Sequence, residues 1–173
     1  MNLEIKAHGF FCNTWPVLTI AQNGTKFEYS VENETDVSIV LDNAPFQLGM
    51  HNKSFGTNKI YDTKLDASGN ILADKFIKIE EIKIDEVSVL RLLPKVDYNS
   101  KEQGSIIIHD SCLRFNGGWS FPIGDNPYDW IIDTTYQQTN EYRDTSYFSD
   151  YTILNNYSDH YQYINKIRKL LDI

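Results

Sequence analysis

The residues with the best claim to chemistry are oxygen donors in one polar stretch. Asp62, Asp66 and Asn70 surround Gly69, with Asp74 just beyond, and clustered carboxylate and amide oxygens near a glycine are the raw material of a Ca²⁺ site. The spacing is not that of an EF-hand loop, because Asp62 and Asp66 stand four apart and no Glu closes the stretch. A solvated β-turn decorated with Asp and Asn accounts for the same residues. The histidines His8, His51, His109 and His160 are scattered, and His109-Asp110 lacks the intervening residue of the usual two-His, one-carboxylate metal arrangement. Ser111 and Cys112 follow His109 on a strand-like segment, where neighbours point to opposite faces. Neither a G-x-S-x-G elbow nor a Gly-rich phosphate loop occurs. The chain is therefore expected not to be an enzyme and to need no cofactor. A carboxylate pair for hydrolysis among its 24 acids is the alternative that sequence leaves open.

Aromatic residues give a second set of candidates. Eight of the eleven tyrosines fall between Tyr128 and Tyr163, and Tyr combines large contact area with a polar tip, as interfaces require. Tyr142, Tyr147, Phe148, Tyr151 and Tyr157 are the candidate interface with a protein partner or another copy. The alternative is that these rings cover one end of the fold. Trp119 and Trp130 are the candidate stacking platforms if the ligand is a glycan.

Elements that could position these residues follow from periodicity. Leu3, Ile5 and Ala7 alternate with polar neighbours, a half-buried strand pattern. Asn23-Gly24 between WPVLTIA and TKFEYSV predicts a tight hairpin, because both turn positions need positive φ. Strands are predicted over 35–42 and 46–53, a long loop over 54–69, and alternation over 75–93. Within that run Ile77 and Ile79 are odd while Ile82 and Ile84 are even. The shift at Glu80-Glu81 requires a bulge or a strand that crosses to a second sheet, and a crossing is the expectation. SIIIHD, CLRF, a Gly117-Gly118 turn and WSFPI predict a further strand and hairpin. Residues 133–150 show no sustained period. Tyr161, Ile164, Ile167, Leu170 and Leu171 lie three to four apart behind Ser158, which predicts a helix over about 159–171.

The expected fold is mainly β, an antiparallel jelly-roll-like sandwich over 1–132, with a Tyr-rich irregular extension and one C-terminal helix over 133–173 packed on the same domain. At 173 residues, 41% hydrophobic and 23% charged, the composition is that of a globular chain. A net charge of −8 argues against nucleic acid as partner, since phosphate binding draws its affinity from Lys and Arg. No segment approaches the roughly 20 apolar residues of a membrane span, and MNLEIKAHGF lacks a basic-then-apolar leader. Cys12 and Cys112 fit buried thiols, with one disulfide between them as the alternative.

From Trp15 to Val89 the chain resembles small β-sandwich carbohydrate-binding modules of the calcium-dependent xylan-binding type. The likeness lies in WPVLTI with Asn23-Gly24, a strand ending near His51-Asn52, and Asp74 heading KFIKIEEIKIDEVSV. It implies a shared scaffold, and glycan and Ca²⁺ as ligands. Where such modules carry Asn-Asp this chain has Asn52-Lys53, a cation where the metal would sit, and Asp74 is followed by Lys75. In style, with NPYDWII and YFSDYTIL in an acidic β domain, the chain also resembles small tail, baseplate or capsid-decoration proteins of tailed bacteriophages. That resemblance implies a non-enzymatic structural module located in the virion or the host cytoplasm. This is the leading functional expectation, with glycan binding the first alternative.

Overall fold

The computed structural model describes residues 1–54, 62–101, 103–106 and 110–144, and the side chains among them except those of residues 105, 106 and 138–144. The chain divides into two compact units, Met1–Asp125 and a second that begins at Asn126.

The first unit is mainly β and sandwich-like, and all its strand pairs are antiparallel. One sheet is built on β1 (Asn2–Phe10), which lies between β4 (Glu34–Val40) and β8 (Phe76–Ile84). The short β9 (Val87–Ser88) and β12 (Cys112–Leu113) pair with β8. The second sheet runs β11 (Gly104–Ile106), β10 (Tyr98–Ser100), β13 (Gly117–Phe121), β5 (Phe46–His51), β2 (Val17–Gln22), β3 (Thr25–Ser30). A separate hairpin joins β6 (Thr63–Leu65) to β7 (Ile71–Asp74).

Local chemistry explains the pairing. Asn23 and Gly24 both have positive φ, 51° and 78°, and close the β2–β3 hairpin in register Gln22↔Thr25 as expected. Strand β8 does not cross between sheets. It stays beside β1, and the register steps from Lys6↔Glu81 to Ala7↔Ile79. Glu80 is thus the extra residue of a bulge, and Ile77, Ile79, Ile82 and Ile84 all point inward. The alternation predicted over 75–93 is also broken at Asp85 and Glu86, whose φ values of 45° and 68° turn β8 back onto β9. Beyond it, Leu90–Lys95 is a 3₁₀ turn.

The core is formed where the two inner faces meet. Leu3, Ile5 and the four isoleucines of β8 lie on one side, and Leu18, Ile20, Leu48, Met50, Tyr98 and Trp119 on the other, all essentially without exposure. Phe46 and Phe121, opposite each other on β5 and β13, stack at 4.6 Å. Cys12 and Cys112 are both buried and free, and burial pushes the Cys112 thiol above its ordinary value, which leaves it unreactive.

Two sequence expectations are corrected. Gly117-Gly118 does not make a turn but opens strand β13. Their missing side chains serve close strand approach, for a Cβ on Gly118 would lie 2.4 Å from the Leu48 carbonyl oxygen. Residues from 133 to 144, expected to be irregular, are helical: α1 spans Pro127–Asp144. Its start is explained by Asn126, whose Oδ1 accepts the Tyr128 N–H at 3.2 Å while its Nδ2 donates to Asp129 at 2.9 Å. Pro127 supplies a helical φ in the first turn. The helix expected over 159–171 lies outside the described residues. No helix among the described residues is long and apolar enough to cross a membrane.

Candidate functional site

The six-stranded sheet turns one face to the core and carries a shallow depression of about 250 Å³ on the other. Its central row follows from the register: Glu28 (β3), Thr19 (β2), Gly49 (β5), Gly118 (β13) and Asn99 (β10) are successive cross-strand partners. Alternation dictates that partners of inward-facing residues such as Ile20, Leu48 and Trp119 flank this row, so its own side chains project outward. The two glycines make its floor flat. An added Cβ on Gly49 would lie 2.0 Å from the Gly117 carbonyl oxygen, so neither strand tolerates a side chain there. The next row brings Lys26, Ala21, Gln47 and Ser120 alongside.

One rim is internally wired. The Thr19 hydroxyl lies 2.7 Å from His51 Nδ1, the His51 Nε2 lies 3.5 Å from Glu28, and Glu28 is ion-paired with Lys26. Burial and then the charge of Lys26 push the His51 pKa below its ordinary value, against the pull of Glu28, so the imidazole is neutral at pH 7. The hydrogen bond from Lys26 chiefly holds the Glu28 carboxyl below its usual range. The sequence hydroxyl–imidazole–carboxylate has the order of an acyl-transfer relay. Its hydroxyl, however, sits mid-strand beside β5, which is paired on both sides, so the backbone N–H groups below are committed to the ladder and none is left as an oxyanion donor. What the face offers is a set of closely spaced hydrogen-bonding groups: amides from Gln47 and Asn99, a hydroxyl, a neutral imidazole, an ammonium and a carboxylate.

The expected metal ligands are divided between two networks. Asp62 is buried, 4% exposed, and its carboxylate accepts from Lys75 Nζ at 2.7 Å, the Ser54 N–H at 2.8 Å and Asn13 Nδ2 at 3.2 Å. Asp66 is half-buried and organises the β6–β7 turn, accepting from the Ser68 and Asn70 N–H groups at 2.8 and 2.9 Å and from Asn70 Nδ2 at 2.9 Å. The two carboxylates share no partner. Among the described residues no three His, Cys, Asp or Glu side chains gather as a metal site. Asp62 is thus not brought together with Asp66 and Asn70 as one set of calcium ligands among the described residues. Asp62 is neutralised by Lys75, and Asp74 by Lys53 at 2.6 Å.

Trp119, nominated for stacking, is wholly buried and packs edge-on against Tyr98 at 5.5 Å. It cannot meet a sugar. Trp130 is half-buried on α1 in the second unit. The exposed rings of the first unit instead lie at the end of β1, where Phe11, 51% exposed, meets Trp15 edge-on and Phe10 stacks on Phe76. The side chain of Tyr142, and all of Tyr147, Phe148, Tyr151 and Tyr157, lie outside those described, as do His109 and His160.

Besides Glu28, three carboxyls among the described residues carry a pH signature. Burial raises Asp62, but hydrogen bonds from Lys75, Ser54 and Asn13 outweigh it and hold the group below its ordinary value. Burial likewise opposes Arg114 and the Cys112 N–H at Asp110, and the hydrogen bonds win. Asn70 lowers Asp66. A depressed folded-state pKa stabilises the fold above the unfolded value and loses that contribution as pH falls through the folded value. The urea midpoint is accordingly expected to fall slightly as pH drops below about 6.5, where the unfolded chain protonates the histidine that the fold holds neutral, and to drop further below about 4.

The first unit is thus mainly β, antiparallel and sandwich-like. The sequence matches no protein-family model and no curated protein. Two solved structures are similar. One is vCBM60 in complex with galactobiose, at 13% identity over 70% of this chain and 98% of that chain, with a TM-score of 0.47. The other is a selenomethionine form of vCBM60, described in terms of circular permutation between two families of calcium-dependent carbohydrate-binding modules. It is 12% identical over 70% of this chain and 90% of that chain, with a TM-score of 0.48.

Proposed function

We propose that the chain is a non-catalytic binding module that takes a glycan on the outer face of its six-stranded sheet. The observation that carries this reading is the polar row across five strands, floored by Gly49 and Gly118 and edged by Gln47 and Asn99. Vicinal hydroxyls need closely spaced donors and acceptors, and amides, a neutral imidazole and a carboxylate supply both. A glycine floor lets a sugar ring approach the sheet closely. An acidic chain repels polyanions. The virion-assembly reading rests on side chains outside the described set, so no observation here favours it.

Calorimetry against a panel of neutral polysaccharides tests the proposal. Gln47→Ala and Asn99→Ala are each expected to weaken binding about 5-fold, the effect of one lost hydrogen bond. Both residues are exposed, so the melting midpoint should hold. Phe11→Ala should leave affinity unchanged. If Phe11→Ala weakens binding while the two amide variants do not, the ligand sits at the β1 end and the sheet-face reading fails.

A further inference from the structure

The Lys75 ammonium is 1% exposed and has a complete set of partners. An ammonium donates three hydrogen bonds, and three oxygens receive them: Thr14 Oγ1 at 2.5 Å, Asp62 Oδ2 at 2.7 Å and the Asn52 carbonyl at 3.0 Å. These oxygens come from three segments that are distant in sequence. A hydroxyl, a backbone carbonyl and a carboxylate converging on one point are the donor types that bind hard cations. Around them the chain is already fastened: Asn13 and the Ser54 N–H hold the same carboxylate, the Lys75 N–H donates to the Asp62 carbonyl at 2.8 Å, and Asn116 brackets Lys53 through its N–H and carbonyl. The Asp62 side of the cradle is thus also held by bonds that do not involve the ammonium.

We propose that Lys75 is a built-in cation occupying a preformed oxygen cradle made by Thr14, Asn52 and Asp62, and that shortening this side chain converts the cradle into a Ca²⁺ site. The lysine thereby fastens these three segments without a metal. Removing it leaves a buried, charged Asp62 and a space the length of the stem, which water can enter to complete the six to eight oxygens Ca²⁺ takes. Mg²⁺ demands near-ideal octahedral geometry and should bind less well. The inference is independent of where a glycan binds, since no member of the cradle belongs to the sheet-face row.

Thermal melts of the full chain in EDTA and in millimolar CaCl₂ provide the test. The wild-type midpoint should be the same in both. Lys75→Ala should lose about 10 °C in EDTA, the consequence of stranding one partner of a buried pair, and should regain about half of that in Ca²⁺. Lys75→Ser, which adds a hydroxyl near the vacated position, should behave alike. Adding Asp62→Asn to either variant should abolish the Ca²⁺ gain. A variant that folds only when Ca²⁺ is present supports the proposal. A wild-type chain stabilised by Ca²⁺, or two lysine variants that gain nothing from it, whether folded or unfolded, would overturn it.

Discussion

Trp119→Ala is expected to lower the stability of the first unit by about 4 kcal/mol, read from the urea midpoint, with Trp119→Phe costing less than half as much. The ring is wholly buried between Gly118 and Ser120, with Tyr98 edge-on at 5.5 Å. Deleting it leaves a cavity in a core that cannot collapse freely, because the Tyr98 hydroxyl is tied to the Phe115 carbonyl at 2.7 Å. The indole N–H has no acceptor among the described residues, so phenylalanine removes an unsatisfied donor along with part of the volume. A stacking platform would behave in the opposite way. If Trp119→Ala kept the wild-type midpoint and lost glycan affinity, the ring would have to be accessible and the core assignment would be wrong.

The placement of Trp119 was legible in principle. Trp119 and Phe121 are two apart on a strand, as are their cross-strand partners Leu48 and Phe46, and a period of two puts both pairs on one face. Reading Gly117-Gly118 as a turn detached Trp119 from that pattern. Turn chemistry was otherwise a reliable guide: Asn23-Gly24 fixed a hairpin, while Asp85-Glu86, which turns without glycine, gave no compositional sign. The odd-to-even shift in β8 was visible, but only the pairing with β1 distinguishes a bulge at Glu80 from a strand that changes sheets. The start of α1 was written in Asn126-Pro127 with Asp129. Its interior, rich in Thr, Gln and Asn, has a weak apolar face and hid behind that composition.

The candidate site was harder to read, for a geometric reason. Its row takes one residue from each of five strands spread from Thr19 to Gly118, and each is an ordinary outward-facing position on its own strand. Local spacing therefore contains no trace of it, and only register assembles it. The lysines differ. Lys53 and Lys75 beside Asn52 and Asp74 stood out in the sequence as cations where a metal would sit, and in the fold they are paired with Asp74 and Asp62. What sequence could not give was the choice of partner: the neighbour Asp74 goes to Lys53, and Lys75 reaches back to Asp62.

That choice sets the second large effect. Asp62→Ala should cost about 4 kcal/mol, because it leaves the Lys75 ammonium buried with only a hydroxyl and a carbonyl to compensate it. Asp62→Asn keeps one oxygen, which can still accept from the Ser54 N–H and Lys75 in place of Oδ2 while the Asn13 bond is given up, so it should cost less. It should also soften the fall of the urea midpoint below about pH 4, since the depressed carboxyl responsible for part of that fall is gone. The pair itself need not be a net stabiliser, because desolvating two charges offsets much of their attraction. The double variant Asp62→Leu with Lys75→Met should then be more stable than Asp62→Ala alone, although it removes both charges. A double variant at least as unstable as Asp62→Ala would mean that the three oxygens and the ammonium hold the segments together by more than mutual neutralisation.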